Sequence, residues 1–206
     1  MLKHTCEQHG YLSLLTDIKI PLALADAAST RTGILVAPPL NFGSSPYFLA
    51  YPGTFSLRLA TFMDALEDIL RSAYGQGFER ILILNGHGGN SGARARLHEI
   101  ANELPGLRME WYSWWQAHSV EAVTLRHGIK PGHGNWLEAF PFTVVSELPD
   151  GDKIPPNVPG SVLTALQARE VYGDGSFGGR YRVEQSVLDE IFAAALDDIL
   201  HLLKFA

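Results

Sequence analysis

The stretch of residues 81–90 constrains the fold more than any other part of the chain. Residues 81–84 are a continuous run of isoleucine and leucine, and residues 85–90 form a turn with three glycines and one histidine. An unbroken aliphatic run that ends in a turn is typical of a central strand buried on both faces. A helical pattern follows, with Asn90 or Ser91 as the predicted N-cap. His87 is therefore predicted at the carboxyl end of a strand, where open parallel sheets bind ligands.

Strand-like and helix-like patterns alternate along the rest of the chain. Further strands are predicted at residues 33–39 and 108–113. Helices are predicted at residues 18–29, at 56–74, after residue 90 and at 183–204. The loop between residues 41 and 54 is expected to form a wall of the site. The alternation predicts one α/β domain over residues 1–206, a three-layer α/β/α arrangement with a mostly parallel sheet.

Composition excludes several classes of function. The 206 residues are 46% hydrophobic and 18% charged, which suits one domain with a sizeable core. A net charge of -6 without a basic block argues against nucleic acid or a membrane surface as a partner. The first residues lack the apolar core of a secretory signal, and Cys6 is the single cysteine. We therefore expect a protein of the reducing cytoplasm.

Imidazole and carboxylate side chains are the candidate metal ligands. Glu7 and His9 lie two apart in an extended segment, so their side chains point the same way. With Asp17, His87 and Glu138 they form a set of nitrogen and oxygen ligands without cysteine. Such a set suits zinc, manganese or ferrous iron.

His133 is the candidate for proton transfer. It lies in a glycine-flanked turn, with Glu138 five residues later in an apolar stretch. A carboxylate in such surroundings is seldom buried without a partner, and a metal is one such partner. A divalent ion lowers the pKa of bound water and polarises a carbonyl, and hydrolysis of an amide also needs a proton for the leaving nitrogen. The pKa of an ordinary histidine allows His133 to supply that proton.

For three features, a purely structural role remains an alternative to a role in the site. Thr16 or Asp17 can simply cap the helix that follows. Trp114 and Trp115 are typical of a core or an interface, although they follow a strand end and can also form a substrate wall. Asp174 can approach the site or belong to an ordinary glycine-rich turn.

Taken in order, these motifs resemble those of the creatininase, or creatinine amidohydrolase, family. The matching segments are Glu7-Gln8-His9-Gly10 with Thr16-Asp17, the turn at residues 85–90, His133 with Glu138, Tyr51-Pro52-Gly53-Thr54, Ser113-Trp114-Trp115 and Gly173-Asp174. The resemblance spans nearly the whole chain. It implies a doubly wound α/β domain that hydrolyses a carbon–nitrogen bond in a small-molecule amide or cyclic amide. It also implies one or two divalent ions per chain, with zinc expected first, and a cytoplasmic homo-oligomer, commonly a hexamer.

The resemblance also assigns roles to residues. The implied metal ligands are Glu7, His9, Asp17, His87 and Glu138, with Asp17 as the bridge if two ions bind. His133 resembles the acid/base histidine, and Glu138 is the second catalytic candidate. The implied substrate-binding residues are Tyr51, Gly88, Gly89, Asn90, Trp114 and Trp115.

The departures from the family pattern argue against creatinine as the substrate. Members that hydrolyse creatinine carry a glutamate at Gly89 that completes a second metal site, and another at Gly132. A substrate-stacking tryptophan is replaced by Ile129, and Phe48 stands where histidine is frequent. Either Glu138 replaces the missing ligand or one ion binds. A lactonase or esterase with the same ion, and a non-catalytic metal-binding subunit of an assembly, are the competing interpretations.

Overall fold

The structure is a computed structural model that describes residues 10–205. The helices are α1 (Thr16–Thr32), α2 (Leu59–Gly75), α3 (Arg94–Glu103), α4 (His118–Arg126), α5 (Ala165–Tyr172) and α6 (Gln185–Leu202). The strands are β1 (Arg80–Asn85), β2 (Arg108–Ser113), β3 (Asp152–Lys153) and β4 (Gly179–Arg180). Glu7 and His9 lie outside the described residues, so their predicted role as ligands stays a prediction.

The centre of the molecule is a parallel pair of strands. β1 and β2 run in register from Arg80 opposite Arg108 to Asn85 opposite Ser113. Both strands therefore end at the same edge, and each continues into a turn that carries candidate site residues. The strands predicted from residues 81–84 and 108–113 are confirmed.

Helices cover both faces of this pair. Successive side chains of a strand point to opposite faces. Leu82 and Leu84 accordingly pack in a cluster with α1, α4 and α6, whereas Ile81 and Ile83 pack in another with α2 and α3. Packing of helices on both sides explains the continuous aliphatic run of β1. The three layers confirm the predicted α/β/α fold.

The strand predicted at residues 33–39 is wrong. Gly33 takes the left-handed conformation with φ 75° and its amide donates to the Ser29 carbonyl, which ends α1. The next residues form no strand, and Leu35 is 80% exposed. The two prolines at positions 38 and 39 lack amide protons, so neither can donate a hydrogen bond to a neighbouring strand.

Helix starts differ from the predictions by a few residues. α1 begins at Thr16 rather than residue 18, which places Pro21 beyond its first turn. A 3-10 helix, Gly88–Ala93, precedes α3. The α3 N-cap is Ala93, so the prediction of Asn90 or Ser91 as the cap is wrong. The long C-terminal helix is confirmed as α6, which buries Ile191 and Ile199.

Two small contacts close the site end of the fold. Leu12 forms an antiparallel bridge with Val144, which fixes the beginning of the described chain against the segment after residue 138. β3 and β4 pair antiparallel. Over residues 10–205, no helix is both long and apolar enough to cross a bilayer.

Candidate metal and proton-transfer site

His87 is placed by the turn at the end of β1. The Asn85 side-chain oxygen accepts from the His87 amide at 3.2 Å, while the Asn85 amide group donates to the Ser113 hydroxyl at 3.1 Å. A Cβ at Gly86 would stand 1.8 Å from the Asp17 carbonyl oxygen. Only glycine therefore lets the first turn of α1 approach the end of β1. This close approach brings Asp17 beside His87.

The His87 ring is buried and contacts polar atoms through both nitrogens. Its exposure is 7%, and Nδ1 lies 3.2 Å from Oδ2 of Asp17. Nε2 lies 2.9 Å from the Ser45 hydroxyl and 3.0 Å from the Ser44 carbonyl. The N-cap of α1 is Leu15, and no side-chain hydrogen bond caps the helix. The capping interpretation of Thr16 or Asp17 is therefore wrong, and Asp17 faces His87.

The segment of residues 43–45 packs directly on the glycine-rich turn. The Ser44 amide donates to Oδ1 of Asn90 at 3.0 Å, and the Asn90 amide group donates to Oδ1 of Asn85 at 3.3 Å. A Cβ at Gly89 would stand 1.9 Å from the Ser44 carbonyl and 2.5 Å from Nε2 of His87. The Ser44 carbonyl thus fills the space beside Gly89, and a glutamate there would have to displace it.

His133 and Glu138 form a second polar pair. Nδ1 of His133 lies 3.8 Å from Oε1 of Glu138, and the Gly134 amide donates to Oε2 at 2.7 Å. The two side chains are 17% and 15% exposed. Asn135 caps the 3-10 helix Trp136–Glu138, since its side-chain oxygen accepts from the Leu137 amide. These contacts fix the carboxylate relative to the imidazole.

The turn of residues 173–179 holds the His133 segment from the other side. The Phe177 amide donates to the His133 carbonyl at 3.0 Å, and the Asn135 amide group donates to the Gly178 carbonyl at 2.9 Å. Phe177 also packs its ring against His133, with centroids 4.8 Å apart. Phe177 was not predicted as a site residue. The glycine-rich turn around it was the only signal in the sequence.

Asp174 organises this turn. Its carboxylate accepts from Lys153 and from the Tyr181 hydroxyl at 2.6 Å, and also from the Ser176 amide at 3.1 Å. Burial alone would raise the pKa of Asp174, but the hydrogen bonds from Lys153, Tyr181 and Ser176 outweigh it and lower the pKa below its usual value. The structural interpretation of Asp174 therefore fits its contacts.

One loop connects the two polar pairs. Ser45 contacts His87, and Phe48, three residues later, packs on the His133 ring at 4.9 Å. The Tyr51 ring lies 5.7 Å from that of Phe48 and is buried. The predicted loop wall thus runs from the candidate ligand His87 to the candidate proton donor.

The predicted substrate-binding tryptophans differ in their surroundings. Trp114 is 3% exposed and packs against Phe140 in the core. Trp115 is half-buried and packs against the same cluster. Core packing therefore accounts for Trp114, and substrate contact by Trp115 stays a prediction.

The described residues contain part of the predicted metal set. Asp17 and His87 lie together, but no group of three or more histidine, cysteine, aspartate or glutamate side chains within residues 10–205 could hold an ion. Glu138 lies beside His133, and its role as a metal ligand stays a prediction. A catalytic zinc site usually has three protein ligands. One imidazole and one carboxylate in contact fit a divalent ion chemically, and the remaining ligands predicted at Glu7 and His9 lie outside this range.

Sequence comparison identifies relatives with hydrolase names. A segment of the chain is 34% identical over 91 residues to the creatinine amidohydrolase of Pseudomonas putida, covering 41% of this chain and 35% of the relative. The mycofactocin precursor peptide peptidase of Mycolicibacterium smegmatis is 38% identical over 96 residues, covering 43% and 38%. The 3-dehydro-scyllo-inosose hydrolase of Thermotoga maritima is 29% identical over 94 residues, covering 43% and 30%. The matches thus span about a third of each relative.

Structural comparison covers nearly the whole chain. A crystal structure of creatinine amidohydrolase (creatininase) superposes with a TM-score of 0.83 at 21% identity, covering 97% of this chain and 86% of that chain. A manganese form of creatininase gives 0.81 at 21% identity, covering 98% and 87%. This likeness shows the fold. The family profile described as creatininase, creatinine amidohydrolase, matches residues 5–203, and the chain therefore belongs to the creatininase family.

Proposed function

We propose that this chain is a metal-dependent amidohydrolase that cleaves a carbon–nitrogen bond of a small amide or cyclic amide. The observation that carries the proposal is the placement of two polar pairs along one loop. Asp17 with His87 supplies metal-binding chemistry, and His133 with Glu138 supplies proton-transfer chemistry. The residues of both pairs come from distant parts of the sequence, yet the loop from Ser45 to Phe48 contacts both.

Asp17 and His87 would hold the ion, together with Glu7 and His9. A bound divalent ion supplies a Lewis acid and lowers the pKa of water toward neutrality. Zinc suits this nitrogen and oxygen set best, with manganese or ferrous iron as alternatives. Creatininase structures described as manganese and Zn-Zn forms support a divalent ion. The Ser44 carbonyl beside Gly89 favours one ion per chain.

His133 would protonate the departing nitrogen. Its imidazole is held by Phe48 and Phe177, and the Gly134 amide fixes the neighbouring Glu138 carboxylate. Glu138 can then orient the attacking water or the imidazole itself. General acid–base catalysis requires such positioning. Proton transfer by a positioned side chain contributes about 10²–10⁴-fold to the rate.

Creatinine is not the proposed substrate. Gly89, Ile129 and Gly132 lack the side chains that the resemblance associates with creatinine hydrolysis. Relatives named as an inosose hydrolase and a peptide peptidase support a wider range of substrates in the family. A homo-oligomer, with a hexamer expected first, stays a prediction from the resemblance. So does the exclusion of nucleic acid and membrane partners, which comes from composition.

The test combines metal content with turnover. Protein purified without chelator is compared with the variants Asp17→Ala, His133→Ala and His118→Ala, and a panel of amides, cyclic amides and lactones is assayed. His118 serves as the control because its side chain is 95% exposed on α4. We expect about one equivalent of metal in the wild type, lost in Asp17→Ala. His133→Ala should keep the metal and lose about 10²-fold or more in kcat, while His118→Ala should match the wild type.

Other outcomes separate the competing functions. Metal-loaded wild type that hydrolyses lactones but no amide would favour a lactonase or esterase. Metal-loaded protein inert to the whole panel would favour a non-catalytic subunit. A metal-free wild type that cannot be reloaded would overturn the proposal.

A further inference from the structure

Phe177 differs in its exposure from the other rings of the aromatic cluster that it forms with Phe48, Tyr51 and Tyr172 beside His133. Phe48, Tyr51 and Tyr172 are buried, with 6%, 5% and 6% of their surface exposed. Phe177 keeps 38% of its surface exposed although its ring packs on the His133 imidazole. A large apolar ring beside the candidate proton donor thus remains available to a ligand.

The ring is supported from behind by other aromatic rings. Phe177 stacks on Tyr172 with centroids 4.5 Å apart and planes at 29°. It also stacks on Phe48 at 6.1 Å and 21°. Phe48 and Phe177 each lie within 4.9 Å of the His133 ring centroid. Phe48 therefore backs the Phe177 ring, and the exposed face of Phe177 is an apolar surface on which a substituent next to the reacting bond can pack.

The backbone of Phe177 is fixed before any ligand binds. The Lys153 ammonium donates to the Ser176 carbonyl at 2.7 Å and also to the Tyr172 carbonyl. It forms an ion pair with Asp174 as well. Gly178 has φ +100°, and a Cβ there would stand 2.7 Å from the backbone of Pro155. A rigid wall loses little conformational entropy when a ligand packs on it.

We propose that Phe177, held in place by Phe48, determines specificity by binding an apolar or aromatic substituent of the substrate next to the scissile amide. The substrate class is then an amide with such a substituent rather than a small, wholly polar amide. The inference rests on the proposed function, because it assigns the reacting bond to the neighbourhood of His133. Contact of one aromatic ring pair accounts for a preference of about tenfold.

The experiment compares phenylacetamide with acetamide. Dissociation constants are measured by ligand-observed NMR, and KM and kcat by hydrolysis, for wild type, Phe177→Ala, Phe177→Leu and Phe78→Ala. Phe78 is the matched control, since it is 45% exposed and precedes the amino end of β1. Wild type should bind phenylacetamide about tenfold more tightly than acetamide. Phe177→Ala should abolish this preference, Phe177→Leu should retain part of it, and Phe78→Ala should retain all of it.

The outcomes distinguish this inference from the proposed function. Equal binding of the two amides by wild type, or a preference that survives Phe177→Ala, would overturn it. An equal fall in kcat for both amides with unchanged KM would also overturn it, because Phe177 would then act only by holding His133. A wild type that turns over neither amide but keeps the Phe177-dependent binding preference would count against amide hydrolysis and support the apolar subsite.

Discussion

At the scale of single residues, two glycines of the central turn allow backbone atoms of other segments to lie where a side chain would otherwise stand. Gly86 meets the Asp17 carbonyl and Gly89 meets the Ser44 carbonyl, each at a distance that excludes a side chain. The sequence predicted that the turn would carry the site, because a buried strand ended in a glycine-rich segment with one histidine. It did not predict which segments approach those glycines, since the approaching atoms are backbone carbonyls of unrelated sequence.

Gly86→Ala should therefore damage both the fold and the contact between Asp17 and His87, the proposed metal ligands. Its Cβ would stand 1.8 Å from a backbone oxygen, so α1 must move away from β1 and separate Asp17 from His87. We expect a loss of about 1–3 kcal/mol in the free energy of unfolding, measured by urea denaturation, together with weaker metal binding. Gly88→Ala is the matched control in the same turn, because a Cβ there meets no atom within 4 Å. Equal stability of the two variants would contradict the close-approach argument.

At the scale of elements, a strand with helices packed on both faces was predictable, and the exposed apolar segment was not. β1 was predicted correctly because both its faces pack under helices, which demands a continuous aliphatic run. Residues 33–37 carry a similar run, but all of them except the half-buried Ile34 lie exposed after the left-handed Gly33. Local pattern does not show whether a strand has a neighbour. The same limit applies to Phe177, whose place beside His133 depends on the docking of two turns.

The Asp174 turn makes a testable contribution to stability against acid. Because the folded pKa of Asp174 lies below its usual value, its carboxylate stabilises the fold above the ordinary aspartate pKa of about 3.9. The contribution is lost as pH falls through the folded pKa. Asp174→Asn should lower the free energy of unfolding by about 1–2 kcal/mol at pH 7, since charged hydrogen bonds are lost at a partly exposed site.

The difference in the free energy of unfolding between wild type and Asp174→Asn should become smaller as pH falls below about 4. Urea denaturation at pH values from 7 to 2.5 measures it. Asp64→Asn, at an exposed position of α2, is the control and should show no such pH-dependent difference. If the difference in the free energy of unfolding for Asp174→Asn stayed constant down to the lowest pH, the carboxylate charge would not be what stabilises the turn.

At the scale of the whole molecule, the fold gathers one edge of the sheet from segments far apart in the sequence. α1 contributes Asp17, the end of β1 contributes His87, and the turn after α4 contributes His133. The order of motifs, with the family resemblance, placed Asp17 and His87 in one predicted ligand set, and the two side chains lie in contact, while their role as ligands stays a prediction. The pairing of His133 with Glu138 was also part of the resemblance, but the packing of Ser45 and Phe48 against the two pairs was not predictable, because it depends on how the loop of residues 41–54 folds.

An ion held by Asp17 and His87 would link α1 to the central sheet, so metal binding should stabilise the whole domain. A ligand that binds only the folded state adds about 2.7 kcal/mol at a free concentration of 100 times its dissociation constant. For a domain of this size, that corresponds to a rise of about 6–10 °C in Tm. Differential scanning calorimetry of chelator-treated protein, with and without zinc, measures the rise. Asp17→Asn preserves side-chain volume but removes the charge that attracts the ion, so it should abolish the rise, whereas His118→Ala should keep it. An equal rise in Tm in Asp17→Asn would show that zinc binds elsewhere. Zinc would then stabilise the domain without the charge of Asp17, which faces His87 at the end of β1.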